Sequence, residues 1–376
     1  MKYQKAIGLM SGSSLDGLDI AYAEFGKMNG EWQYNLLLGE TISYPNEWQS
    51  ILKNIRNYDD NQLQKLHIQY GNYLGEQVNR FVKKHSLKPE IVASHGHTVF
   101  HNPSERYTFQ LGDGQSIANI TNTLTVTDFR SKDITLGGQG APLVPIGDEL
   151  LFNDYLACIN LGGIANISFK KKGKRVAYDV SPANQLLNYL AEKVGLKFDE
   201  GGRLASNGKL INELFENLSS DEFYYRPFPK SLSNEYISKN FIPVIDKSKG
   251  KIEDKLYSTT LHIVDQIYKA ISLVEVTDEQ FRAPAIHQNL QRPPDEILIT
   301  GGGAKNEFLI NNLKKVVPYN IVIPEPKLID FKEALIFAFM GALKVNGEIN
   351  CLSSATGAKS DSSSGTIFQV KKPPLK

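Results

Sequence analysis

The chain has 376 residues, of which 41% are hydrophobic and 22% charged, and its 42 basic side chains nearly balance 41 acidic ones. That length accommodates two domains of ordinary size, and the balanced charge gives no support for nucleic acid or a membrane surface as the main partner. Met1–Met10 lacks the apolar core of a secretory signal, no run approaches the ~18 apolar residues that cross a bilayer, and Cys158 and Cys351 suggest no disulfide framework, so a cytoplasmic protein is expected.

In chain order, alternation and β-branched content predict strands at 6–10, 19–25 and 34–44. Residues 61–85 carry apolar side chains at three- and four-residue spacing and end in basic residues, which predicts a helix. Strand-like runs follow at 90–96, 107–112 and 123–129. At 157–180 the opening pattern returns: an apolar strand, a Gly-rich turn, a second strand, and a third that ends at Asp179. The basic run Lys170–Arg175 reads as a solvated hairpin tip turned by Gly173. Residues 295–317 read as strand, glycine triplet and helix, and 330–345 as a strongly apolar helix before a coil-like tail. Strand–glycine–strand thus occurs twice, each time followed by a helical crossover, which predicts two similar α/β halves.

Three loops carry candidate chemistry. In the first, Gly12 lets the backbone approach a ligand, and Ser11, Ser13 and Ser14 offer hydroxyls around an anion-binding concavity. It is not a Walker loop, because a strand follows and no Gly-Lys-Ser/Thr is present. An aspartate here suits Mg²⁺ bound through water. The second loop places Gly162 and Gly163 between apolar runs. The third, Gly301–Gly303, opens toward a helix N-terminus, where free N–H groups favour phosphate. Each alone is weak evidence, the first reading more readily as a plain turn; three after apolar strands point to a nucleotide.

Asp179, at a strand end before Pro182, reads as a general base or as a helix cap, a part Ser181 would also fill. His95, His97 and His101 cluster within a short span but lack further ligands for a metal, and read as sugar-binding donors or loop histidines. Arg130 suits a substrate carboxylate, or an internal ion pair with Asp128 or Asp133.

Taken together, the segments "GLMSGSSLDGLD", "SHGHTV", "QLGDGQSIA", "DFRSKDITLGGQGAPLVP", "INLGGIANIS", "DVSPAN", "PKS", "TGGGAKN", "EALIFAF" and "TGA" resemble the anhydro-N-acetylmuramic acid kinase family of the sugar kinase/Hsp70/actin superfamily. They run in family order from residue 8 to residue 358. The resemblance implies an α/β fold of two ribonuclease-H-like (actin-like ATPase) domains flanking a nucleotide cleft. The expected lobes are 1–130 plus 345–376 and 131–344.

It further implies an ATP-dependent kinase that opens the 1,6-anhydro ring of 1,6-anhydro-N-acetylmuramic acid with water and phosphorylates O6. Asp179 corresponds to the residue that activates the water. Gly12, Ser13, Ser14, Leu15, Asp16, Gly17, Leu18 and Asp19 map onto the ATP-binding stretch, with Asp16 the Mg²⁺-associated carboxylate. Asn160, Gly162 and Gly163, and then Gly301, Gly302, Gly303 and Ala304, map onto the second phosphate and adenosine loops. Ser94, His95, His97, Arg130, Asn184 and Glu333 are the residues expected to hold the sugar. The implied partners are ATP, Mg²⁺, a small anhydrosugar and a second copy of the chain. The chain departs from the family pattern at Ser13, usually Thr; at Val180–Ser181, usually Thr-Gly; and at His97, usually Gln. The alternatives are a kinase for another anhydrosugar, such as levoglucosan, and a non-catalytic nucleotide-binding protein of the same superfamily.

Overall fold

The opening runs alternate as expected and form a meander: β1 (Gln4–Ser11) and β2 (Leu18–Met28) pair antiparallel from Gln4 opposite Phe25 to Ser11 opposite Leu18, and β2 pairs with β3 (Glu31–Ile42). The computed structural model describes residues 3–12, 15, 17–274 and 295–370. Its contacts divide into one unit of Met1–Leu151 with Phe331–Lys376 and a second of Phe152–Asp330.

In unit 1 the helix Asp60–His85 starts at a capping box between Asp59 and Gln62 and ends at Ser86 in the left-handed conformation. It supplies the crossover that a parallel neighbour requires. β4 (Ile91–Ser94) then pairs parallel with β1. β5 (His97–Asn102) and β6 (Tyr107–Leu111) form a separate hairpin, and β7 (Leu124–Thr127) lies parallel beside β4.

Unit 2 repeats the plan. β8 (Ala157–Leu161), β9 (Ile164–Lys171) and β10 (Lys174–Pro182) form an antiparallel meander whose tip, Lys172–Gly173, has positive φ at both residues. The tip is not solvated throughout, since Arg175 is buried. β11 (Glu296–Thr300) lies parallel to β8, and β12 (Asn320–Val322) parallel to β11. The chain returns to unit 1 through the helix Pro326–Val345, and β13 (Thr366–Phe368) closes antiparallel on β7.

The sheets are ordered β13-β7-β4-β1-β2-β3 and β10-β9-β8-β11-β12. In both, a three-strand meander continues into parallel strands on the far side of its first strand, the ribonuclease-H-like arrangement. Each unit has its own core, around Ile7, Tyr70, Phe81 and Val92 in unit 1 and Ile159, Phe169, Ile263 and Ile299 in unit 2. Each such aliphatic or phenylalanine side chain contributes about 1.5–3 kcal/mol relative to exposure. In unit 1 the returning helix lies directly on β1: a Cβ on Gly8 would come within 2.7 Å of Ala338 N.

The division differs from the lobes expected at 130 and 345. Residues 131–151 and 331–344 pack with unit 1. Buried Asp133 accepts hydrogen bonds from Gly140 N, Thr356 Oγ1 and Cys351 Sγ, and buried Lys332 pairs with Asp148 at 2.7 Å. Both ties act between segments distant in sequence, which periodicity does not register. No helix among the described residues is long and apolar enough to cross a membrane.

Candidate active site

Topology gathers the candidate residues before any side chain is considered. In unit 1, β1, β4 and β7 run in one direction, so Ser11–Gly12, Ser94–His95 and Thr127–Arg130 lie along one edge of the sheet. In unit 2, β8 and β11 are parallel, and β10, two antiparallel steps from β8, runs with them. Their carboxyl ends carry Asn160–Gly163, Gly301–Ala304 and Asp179. Ligands bind at such strand ends in open α/β sheets.

Asp179 sits one pair before a bulge in β10, opposite Asn166. Its N–H donates to Lys230 O at 3.0 Å, and its Oδ2 accepts from Leu232 N–H at 2.8 Å. Burial raises its carboxyl to about 6, and the Leu232 bond only partly opposes this. The cap alternative fails. β10 continues to Pro182, the helix Asn184–Glu192 has no side-chain cap, and its entering N–H groups are satisfied by the second loop: Ala183 donates to Gly163 O at 2.8 Å and Asn184 to Gly162 O at 3.2 Å. Ser181 turns its hydroxyl to Pro182 O and Tyr224.

The second and third glycine loops leave the sheet side by side, with Asn160 opposite Thr300. Asn184 braces them, donating from Nδ2 to Leu161 O at 2.9 Å and lying against Gly303. Gly301 has φ +81°, and a Cβ there would lie 2.8 Å from the Leu161 carbonyl carbon, so the fold itself imposes glycine. Gly302, Gly162 and Gly163 differ: a Cβ on any of them meets no atom closer than 3.5 Å. Packing within the unit does not ask for their bareness, since a methyl group there would make only ordinary contacts. Contrary to the expected strand, triplet and helix, the triplet does not run straight into an α-helix. Gly302–Lys305, which includes Ala304, is a 3₁₀ turn, and the helix Glu307–Val316 begins beyond it with Asn306 Oδ1 capping Leu309 N–H at 3.0 Å. Asn306 thus takes up part of the helix terminus assigned to phosphate.

In unit 1 the first loop turns at Leu15, whose φ is +58° and whose N–H reaches Gly12 O at 3.4 Å. Ser13, Ser14 and Asp16 lie outside the described residues. Gly17 is fixed by packing, since a Cβ would lie 2.7 Å from Ile42 O. Leu18 is buried in the core and pairs with Ser11 on one side and Ile42 on the other, and Asp19 accepts from Thr41 Oγ1 at 2.6 Å. Beneath the loop, Ser11 Oγ meets His97 Nδ1 at 3.1 Å and both Tyr44 and Tyr70 hydroxyls. Burial lowers His97 to about 4, so the ring is neutral.

Arg130 pairs with neither Asp128, which accepts from Ser131, nor Asp133. Its Nε and Nη2 donate to His95 Nε2 at 3.2 and 2.8 Å, and Nη1 donates to Gly140 O. His95 Nδ1 lies 2.9 Å from Gly96 O, which only accepts, so Nδ1 carries the proton and the ring is neutral. Burial and Arg130 push its basicity well down, in agreement. Arg130 itself is drawn to about 10 by burial, with Glu333 opposing, and stays charged. Burial and Asp19 raise the Glu333 carboxyl, against Lys332 and Arg130. Ser94 Oγ accepts from Gly96 N–H and builds the turn that carries His95. Among the described residues, no group of three or more His, Cys, Asp or Glu side chains is placed to hold a metal.

With this geometry in view, comparison with known proteins is decisive. The family model described as "Anhydro-N-acetylmuramic acid kinase" matches residues 4–370.

The chain belongs to the anhydro-N-acetylmuramic acid kinase family.

A family member from Caldanaerobacter subterraneus subsp. tengcongensis, named anhydro-N-acetylmuramic acid kinase, is 31% identical over 380 residues, covering 94% of this chain and 94% of its own. One from Haemophilus influenzae with the same name is 32% identical over 389 residues, 98% of each chain. Among solved structures, the activator of the 2-hydroxyisocaproyl-CoA dehydratase from Clostridium difficile aligns at 14% identity with a TM-score of 0.43, over 92% of this chain and 97% of that one.

The segment that holds Asp179 contains the family run "PKS", Pro229–Ser231, to which the sequence alone assigned no part. Lys230 receives the Asp179 N–H on its carbonyl, while its Nζ donates to Phe223 O and Tyr224 O at 3.1 and 3.3 Å. The run "EFYYRPFPKS" was the available signal: an aromatic cluster around one lysine, whose ammonium lies 4.5 Å from the Phe223 ring centroid.

Proposed function

We propose that this chain uses ATP and water to open the 1,6-anhydro ring of 1,6-anhydro-N-acetylmuramic acid, giving N-acetylmuramic acid 6-phosphate and ADP in cell-wall recycling. Family membership supports the reaction class, and the observation that carries the chemistry is Asp179. It is a partly buried carboxylate near the carboxyl end of β10, raised to about 6, with its N–H and one oxygen anchored by backbone. A base of that kind is ionised at neutral pH yet close enough to titration to accept a proton.

In this reading Asp179 takes a proton from water as its oxygen bonds to C1. The C1–O6 bond breaks, O6 accepts the γ-phosphoryl group, and ADP leaves. Arg130, charged and fixed by His95 and Gly140, is assigned the lactyl carboxylate. Ser94, His97, Asn184 and Glu333 are assigned to the sugar. Gly162, Gly163 and Gly302 give phosphate oxygens close access to backbone, and Gly12–Asp19 serves the same nucleotide. Mg²⁺ bound with ATP supplies charge neutralisation, and Asp16 is the carboxylate assigned to it. The protein works in the cytoplasm, as a homodimer.

The test is a panel of anhydrosugars with ATP and product identification. 1,6-Anhydro-N-acetylmuramic acid is expected to yield the 6-phosphate, and equal or better use of levoglucosan would overturn the assignment. Asp179→Asn is expected to lower sugar phosphorylation at least ~10³-fold while ATP binding stays within about twofold.

A further inference from the structure

Four side chains of unit 2 form a hydrogen-bonded line that ends beside Asp179, and none of them belongs to the assigned machinery. Ser219 Oγ lies 2.9 Å from His262 Nδ1, His262 Nε2 lies 2.8 Å from Tyr224 Oη, and Tyr224 Oη lies 3.1 Å from Ser181 Oγ. Ser181 Oγ lies 2.9 Å from Pro182 O.

Proton counting gives the line one direction. A carbonyl only accepts, so the single Ser181 proton goes to Pro182 O. Ser181 must then accept from Tyr224, which leaves Tyr224 no proton for His262, so Nε2–H donates to Tyr224. His262 Nδ1 is therefore bare and accepts from Ser219. The imidazole is neutral and fully buried, and burial lowers it to about 3. Every donor and acceptor along the line has one role, and reversing any link strands a proton against another.

The line meets Asp179 from a second side. Tyr224 belongs to the segment that returns to the base: Lys230 Nζ donates to Tyr224 O, Lys230 O accepts the Asp179 N–H, and Leu232 N–H donates to Asp179 Oδ2. The Tyr224 hydroxyl pins the near end of that segment to β10 beyond the bulge, and Leu232 pins the far end before it. We propose that Tyr224 and His262 are positioning residues for Asp179, holding the 224–232 segment in the register that keeps the Leu232 N–H on the carboxylate. This rests on Asp179 being the base of the proposed reaction, but the geometric claim is measurable without turnover.

The experiment titrates the Asp179 carboxyl by ¹³C NMR in aspartate-labelled protein, alongside steady-state kinetics, for wild type, Tyr224→Phe, His262→Gln and a control. The control, Tyr236→Phe, removes a hydroxyl from the same segment's surroundings that bonds Asp221 instead. Tyr224→Phe is expected to move the Asp179 midpoint upward by roughly 0.5–1 unit as the Leu232 bond loosens, and to lower kcat about tenfold with KM for ATP unchanged. The control should move neither. An unchanged midpoint and kcat in folded Tyr224→Phe overturns the proposal, as does an equal shift in the control. If His262→Gln fails to fold, Tyr224→Phe and the control still decide. A shifted midpoint in a protein that phosphorylates no anhydrosugar would keep the positioning claim and sink the functional reading.

Discussion

Asp179 and Arg130 are both partly buried ionisable groups, and burial moves each toward its neutral form with different outcomes. Among the described residues no cation offsets the burial of Asp179, and its carboxyl is raised to about 6. Arg130 keeps its charge because a guanidinium starts far enough above neutrality to lose more than two units and stay protonated. The sign of the pH dependence follows. A base works deprotonated, so sugar turnover at saturating ATP should hold above pH 6 and fall about tenfold per unit below it. An acid limb near 4 in the kcat/KM profile for the sugar would show that the burial seen at Asp179 does not govern the reaction. The residue types at these positions were legible in the sequence; their partners were not. The candidates for Arg130 were its acidic neighbours in the chain, whereas the structure gives it His95, 35 residues away. Ion-pair guesses from sequence favour proximity, and folding does not.

At the scale of elements, the glycine loops separate into those the fold needs and those it does not. Gly301 sits at positive φ against Leu161, so Gly301→Ala should destabilise unit 2 by about 2 kcal/mol or more in urea unfolding. Gly302→Ala has room for its methyl group and should leave the unfolding midpoint unchanged within error. If Gly302 serves phosphate, that same change should raise KM for ATP several-fold. Equal destabilisation by the two variants would assign both glycines to the turn. Periodicity found the strands that feed these loops, because alternating burial is written directly into the order of residues. It mistook the step after the triplet for a helix start, since a 3₁₀ turn and an α-helical first turn share the same small, polar residues.

For the whole molecule, the buried histidines set the response to acid. The unfolded chain protonates histidine near 6.5, whereas folded His97 resists to about 4, His262 to about 3, and His95 well below its ordinary value. Unfolding therefore takes up protons once the pH drops below 6.5, and each histidine removes up to about 1.4 kcal/mol per pH unit. Asp179 and Glu333, raised in the fold, hold protons that the unfolded chain releases and offset part of this loss. Urea midpoints should decline from pH 6.5 toward 4, and His262→Gln should flatten the slope by up to one proton. A midpoint constant over that range would contradict the neutral, buried state of these rings. The two-half plan was readable because the strand–glycine–strand pattern occurs twice. The exact partition was not, because it depends on Asp133 and Lys332, single buried side chains whose partners lie elsewhere in the chain. That partition also bears on how the protein is made. Unit 2 is one unbroken stretch, whereas unit 1 needs the part of the helix from Phe331 that seats on Gly8 and the strand that closes on β7, both made after unit 2. On the ribosome the first sheet therefore emerges with one face uncovered. It must wait, at synthesis rates of roughly 5–20 residues per second, while the whole of unit 2 is translated and folds ahead of it.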